Sequence, residues 1–171
     1  VVSKGNMTSL NCPEEVYLAE RLVELHPWAD MVRFARSGGE ANAIAIRVAR
    51  AASGKHNVAF CGYHGWHDWY LAANRGGEEN LENHLLPGLA PAGVHEALQG
   101  TAFPFDYNDL PALKKLVQEY NIGVIKMEVM RNIPPKDGFL QGVRDLASEN
   151  GIVLIFDECT SGFRESFGGI H

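Results

Sequence analysis

Long apolar runs are missing from this sequence. No window approaches the roughly 20 apolar residues that a membrane helix needs, because charge interrupts the apolar stretches every few positions. An excess of basic residues is missing too: fifteen Lys and Arg against twenty-one Asp and Glu leave a formal charge of −6, which argues against an extended basic surface for nucleic acid phosphates. Cysteine is scarce. Cys12, Cys61 and Cys159 are an odd number with no C-x-x-C pair, so a disulfide framework is not expected and a reducing cytoplasm is. The opening residues have neither the basic nor the apolar segment of a signal peptide, and no repeat or low-complexity tract follows. What is present, 46% hydrophobic and 21% charged residues in 171, is the balance of a chain that buries one core.

Helical and strand periods alternate along the chain. Pro13 opens a helix with Val16, Ala19, Leu22, Val23 and His26 on one face, and Pro27 ends it. Residues 31–35 are a short strand candidate. From Ser37 a second helix carries Ala41, Ile44, Ala45, Val48 and Ala52 on one stripe, with Gly54 as its stop. A strand over 58–62 leads to a Gly-, Pro- and Asn-rich connection from Asn74 to about Gly100, of a length that is often functional. Leu110, Leu113, Leu116, Val117 and Tyr120 then predict a helix, and 122–129 a strand. Leu140, Val143, Leu146 and Ala147 predict a helix closed by Asn150-Gly151, before a strand over 152–156 apolar enough to be buried on both faces. This is the α/β pattern: three layers, a mainly parallel sheet with flanking helices, and ligands beyond the carboxyl ends of the strands.

Three places could carry chemistry. Ser37-Gly38-Gly39-Glu40 opens a helix after a strand candidate, so its free N–H groups and the helix dipole suit a phosphate. The same S-x-x-E spacing is a capping box, with Glu40 reaching back to Ser37. It is not G-x-G-x-x-G, so no dinucleotide fingerprint is supported. The second place, Cys61 to Trp69, could pair His64 and His67 with Cys61 or Asp68 around zinc, but it lacks H-x-x-x-H and a clean fourth ligand. An aromatic shelf for a planar ring fits better, and Trp66 and Trp69 are expected in a core or an interface. The third is Asp157, closing an apolar strand, where a metal, an arginine or a protonated ring nitrogen would offset its burial. Glu128 ends the other apolar strand, so a divalent-metal hydrolase using Glu128 and Asp157 is a rival reading, although spacing places no third ligand. A serine nucleophile elbow is absent. Together the three places suggest one ligand, a planar cationic ring with a phosphate arm, and no metal.

The segments Arg33-Phe34-Ala35-Arg36-Ser37-Gly38-Gly39-Glu40-Ala41, Tyr63-His64-Gly65 and Leu154-Ile155-Phe156-Asp157-Glu158-Cys159-Thr160-Ser161-Gly162-Phe163-Arg164 resemble, in order and approximate spacing, the class III aminotransferases, fold-type I enzymes that use pyridoxal phosphate. Within that family the chain is most similar to the glutamate-1-semialdehyde aminomutase branch. The resemblance implies that Ser37, Gly38 and Gly39 hold the cofactor phosphate, with Gly39 in place of the family's Thr. It implies that Tyr63 stacks on one ring face beside His64, and that Cys159 stands where Val usually covers the other. Asp157 matches the carboxylate that pairs with the pyridine nitrogen. Glu128 matches the Glu of the family's Glu-Pro strand end, with Val129 for Pro. Ile133 falls about where 4-aminobutyrate and ornithine enzymes carry a further Glu, which lowers that substrate class.

The family's Schiff-base lysine lies beyond the last motif, and none of Lys4, Lys55, Lys114, Lys115, Lys126 or Lys136 matches it. The chain is therefore expected to be part of the cofactor-binding large domain, without the N-terminal arm and the lysine region, and to hold no catalytic residue and be inactive alone. The resemblance implies a homodimeric parent that moves an amino group from a small-molecule donor to an aldehyde or keto acceptor. A non-catalytic module that kept the fold is the rival from another class.

Overall fold

The computed structural model describes residues 12–77, 80–84 and 88–171. Lys4 and the opening residues lie outside them, as do positions 78, 79 and 85–87 of the long connection. Helix α1 spans Pro13–Leu25; Pro13 sits in its first turn, and Glu15 accepts from the Cys12 N–H at 3.2 Å. Helix α2 spans Gly38–Ser53 between the Ser37 cap and Gly54, whose φ of 66° is the left-handed turn that stops it. Strand β1 (Asn57–Cys61) and the short helix α3 (Asp68–Leu71) follow, then β2 (Ala102–Pro104) and α4 (Leu110–Glu119). Strand β3 (Ile122–Glu128), α5 (Phe139–Glu149) and β4 (Val153–Asp157) complete the order.

The four strands form one sheet in the order β2-β1-β3-β4, and every pairing is parallel. Alternate residues of the central strands face opposite layers, as the pleat requires. Val58, Phe60 and Val124 pack with Ile46 and Ala49 of α2 on one face, while Ala59, Ile125 and Met127 pack with Leu113 of α4 and Val143 of α5 on the other. Each fully buried Val, Ile, Leu, Met or Phe side chain here contributes about 1.5–3 kcal/mol. The result is the expected three-layer α/β arrangement. Among the described residues no helix is long and apolar enough to cross a membrane.

Three expectations need correction. Residues 31–35 form no strand: the segment makes no sheet pairing and Met31 is 87% exposed, because a short apolar run without a ladder partner has nothing to hold it extended. Helix α2 buries Asn42, Ile46 and Ala49, whereas Val48 of the expected stripe lies in solvent. In so alanine-rich a helix two faces are almost equally apolar, and Asn42, donating to the His64 carbonyl at 3.2 Å, selects the one turned inward. Strand β4 is an edge among the described strands, so its apolar residues are half-buried rather than covered on both faces. Strand β2, beyond the long connection, is a three-residue strand too short to show a period in the sequence.

Candidate cofactor site at the strand ends

The register puts Met127 beside Cys61 and Asp157 beside Glu128, so β1, β3 and β4 deliver their carboxyl ends to one edge. At the end of β4, Asp157 is buried and its two oxygens are differently engaged. Oδ1 accepts from the Cys159 N–H at 3.0 Å, and Oδ2 lies 2.8 Å from His64 Nδ1. The Lys126 ammonium, at 1% exposure, stands 3.4 Å from the same Oδ2. Burial opposes the charge on Asp157, but the His64 hydrogen bond and the Lys126 charge outweigh it and hold the carboxyl well below the usual carboxylate range. Burial pushes His64 down to about 4, with the Lys126 charge adding to the push and the Asp157 hydrogen bond opposing it. The ring is therefore neutral near pH 7 and donates Nδ1–H to Asp157.

The turn after β1 and the start of α2 meet this carboxylate from the other side. Gly65, at φ 95°, approaches the Gly39 backbone so closely that a Cβ on it would stand 2.9 Å from Gly39 Cα. A Cβ on Gly38 would stand 3.0 Å from Cys159 Sγ. The Ser37 to Gly39 turn, Tyr63-His64-Gly65 and Asp157 to Cys159 thus converge on one edge. Ser37 Oγ accepts from the Glu40 N–H at 3.3 Å and keeps its own proton to donate. Glu40 reaches back to the Arg36 N–H at 2.8 Å, one residue earlier than a capping box requires. Beside Gly39, the buried His67 Nδ1 has no hydrogen-bond partner. An unmatched ring nitrogen next to the free N–H groups of a helix start is a donor set that fits a phosphate. The Cys159 thiol, pushed up to about 11 by burial and by Asp157, stays protonated.

At the end of β3, Glu128 is also buried. Its Oε1 accepts from Arg131 at 2.9 Å and 2.6 Å, and its Oε2 accepts from the Tyr63 N–H at 3.2 Å. Burial still pushes its carboxyl above the ordinary value, against Arg131. Gly62 lies directly over it, with His84 Nδ1 accepting its N–H and Tyr70 donating to its carbonyl. A cleft of about 240 Å³ opens beside Glu128 and Arg131, lined also by Tyr107 and Ile133. Glu128 and Asp157 each have a protein cation, and among the described residues no group of three or more His, Cys, Asp or Glu could hold a metal ion. The two-carboxylate metal reading therefore gains no ligand, and neither does the zinc reading, since Asp157 occupies His64.

Of the aromatics, Trp69 is in the core at 5% exposure and Trp66 projects into solvent at 69%. Tyr63 packs at the edge of the α2-side core, edge-on to Tyr70. Sequence reasoning missed Asn42, Arg131 and above all Lys126. A lysine inside an apolar strand leaves no periodic signal, and only the register shows that it ends at Asp157.

Residues 2–169 match the class-III aminotransferase family. The chain belongs to that family. The glutamate-1-semialdehyde 2,1-aminomutase of Nitratidesulfovibrio vulgaris strain DP4 is 39% identical over an alignment that covers 98% of this chain and 40% of that protein. The 3-aminobutyryl-CoA aminotransferase of Cloacimonas acidaminovorans strain Evry is 35% identical, with 99% and 39% covered. Among solved structures, an omega-transaminase from Sphaerobacter thermophilus superposes with a TM-score of 0.80 at 29% identity, covering 98% of this chain and 40% of that one. A transaminase with pyridoxal phosphate bound gives a TM-score of 0.77 at 26% identity, covering 94% and 38%. The chain of this class-III aminotransferase family member thus spans about 40% of the length of these relatives.

Proposed function

We infer that this edge is the pyridoxal phosphate site of an aminotransferase or aminomutase that moves an amino group from a small-molecule donor to an aldehyde or keto acceptor, in a cytoplasmic homodimer. The observation that carries the reading is the meeting of a buried, ionised Asp157 with the start of α2 through the Cys159–Gly38 contact. When bound, pyridoxal phosphate supplies an electron sink for the carbanion at the amino-bearing carbon of the substrate. Ser37 Oγ and the N–H groups of Gly38 and Gly39 hold the phosphate. Asp157 faces the ring nitrogen and keeps it protonated, and His64 Nδ1–H keeps the Asp157 carboxylate in place. Tyr63 and Cys159 cover the ring faces. Glu128 acts on the site through the Tyr63 backbone, which it holds, and orients Arg131 at the mouth of the neighbouring cleft.

The described lysines supply no amine placed for a Schiff base in this part of the protein. Lys126 is held by Asp157, Lys55 bonds the Ile122 carbonyl at the opposite end of β3, and Lys114, Lys115 and Lys136 are exposed. The test is a titration of the complete gene product with pyridoxal phosphate, followed by absorbance at roughly 400 nm. Saturable binding is expected, weakened about tenfold or more by Asp157→Asn and less by Ser37→Ala. Binding that ignores both variants refutes the reading. Borohydride treatment of the 171-residue chain with the cofactor should give no stoichiometric adduct on a single lysine.

A further inference from the structure

Lys126 is an ionisable side chain inside the central strand β3, where burial pushes its ammonium down and the ion pair with Asp157 at 3.4 Å opposes the push, and no step of the proposed chemistry uses it. It is buried on the α2 side of the sheet, level with Phe60 of β1 and Ile155 of β4, where an aliphatic side chain would fill the space without the cost of desolvating an ammonium. The groups facing it are Asp157 at the end of β4, Cys159 just beyond, His64 from the turn after β1 and Glu128 on its own strand. The residues that α2 buries, Asn42, Ile46 and Ala49, carry no charge.

The His64 ring shows what this lysine does. Its two nitrogens meet two acceptors, Asp157 Oδ2 at 2.8 Å and the Cys61 carbonyl at 3.0 Å. A neutral ring has one N–H, and the charged Asp157 takes it, leaving Nε2 against a carbonyl with no proton between them. A second proton would satisfy both contacts and give Asp157 its cation from His64. Burial alone disfavours that proton, and a positive charge already at Asp157 disfavours it further. We propose that Lys126 is the resident counter-ion of Asp157: its ammonium keeps this carboxylate ionised and His64 neutral, and so sets the charge that the ring nitrogen of a bound cofactor meets. The last clause rests on the pyridoxal phosphate reading; the rest does not. Lys126 acts through Asp157 and is a positioning residue. Because Asp157 shares its charge with Lys126, it holds a ring nitrogen protonated less firmly than it would with His64 alone.

The experiment is a pH titration of the cofactor-free complete gene product labelled with ¹⁵N-histidine, observing the ring nitrogens between about pH 4 and 8. In the native sequence His64 should show a single N–H near neutral pH. Lys126→Met should raise its midpoint by about one unit or more, so that both nitrogens carry protons at mildly acidic pH, and Lys126→Arg should restore the native behaviour. A doubly protonated His64 at neutral pH in the native protein overturns the proposal and needs no variant. A midpoint unmoved by Lys126→Met in a folded protein overturns it equally. Pyridoxal phosphate affinity, measured on the same samples, should tighten several-fold in Lys126→Met and not in Lys126→Arg. A His64 shift with unchanged affinity supports the counter-ion and overturns only the clause about the cofactor.

Discussion

The ends of β3 and β4 place two carboxylates side by side, Glu128 and Asp157, yet the fold treats them in opposite ways. Both are buried, and burial pushes both toward the neutral acid. Glu128 stays pushed up, although Arg131 grips one oxygen and the Tyr63 N–H the other. Asp157 is driven down, because a sealed ring and a sealed ammonium both act on Oδ2. Arg131 keeps 22% of its side chain in solvent, whereas His64 and Lys126 keep 0% and 1%. The comparison teaches that depth does not decide the charge of a carboxylate at a strand end. The setting of its partners does: Arg131 can turn outward when Glu128 is lost, while Lys126 has nowhere to go.

The largest expected effect follows from that difference. Asp157→Ala strands the buried Lys126 and should cost about 3–5 kcal/mol, whereas Glu128→Ala frees a partly exposed arginine and should cost about 1–2 kcal/mol. Urea denaturation of the complete gene product without cofactor checks both, and equal losses would erase the contrast. Asp157→Asn should fold better than Asp157→Ala and still lower turnover on the order of 10² or more, since a neutral amide cannot keep a ring nitrogen protonated.

The pH dependence sharpens the comparison. His64 ionises near 6.5 in the unfolded chain and near 4 in the fold, so between these values the unfolded state binds the extra proton. Stability should therefore fall as pH drops through that window, by about 3 kcal/mol in all. Asp157 adds its own loss only at lower pH, below the ordinary carboxylate value, where the unfolded chain binds a proton that the fold does not. Glu128 has the opposite sign: its raised carboxyl favours the fold when protonated, and that contribution is lost as pH rises through its folded value. In Lys126→Met the His64 window should shrink, which thermal melts across this pH range would show.

Two smaller effects test how the site is held. Gly62 has φ 102°, and a Cβ there would stand 2.5 Å from Glu128 Oε2, so Gly62→Ala should cost about 1–3 kcal/mol and disturb the Tyr63 contact. Ser37→Ala removes a helix cap, with an expected loss of about 1 kcal/mol in the same denaturation assay.

Much of this was legible in the sequence because one period or one punctuation mark carried it. Pro13 and Pro27 bracket α1, Gly54 stops α2, Asn150-Gly151 closes α5, and the apolar runs of β3 and β4 announce their carboxyl ends. The motif residues Ser37 to Gly39, Tyr63, His64 and Asp157 were legible as a group through their resemblance to one family, and the fold brings them to one edge. What stayed hidden depended on three-dimensional choice. The face that α2 buries is selected by Asn42, a polar residue that an apolar stripe ignores. Residues 31–35 have the composition of a strand and lack a neighbour to pair with. The burial of Asp157 calls for a cation, for which the sequence alone suggests a metal, an arginine or a ligand. The cation was already in the next strand, where Lys126 passes for an interruption of a hydrophobic run.

The packing of Gly38 on Cys159 ties the first turn of α2 to the residue that follows the β4 carboxylate. Because a methyl group at 38 would press on the sulfur, side-chain volume at these two positions can only be exchanged, not added. An engineer who wishes to enlarge residue 159 must leave 38 bare. Conversely, any side chain at 38 calls for a smaller one at 159. Positions 121 residues apart in the chain therefore have to be redesigned as a single unit.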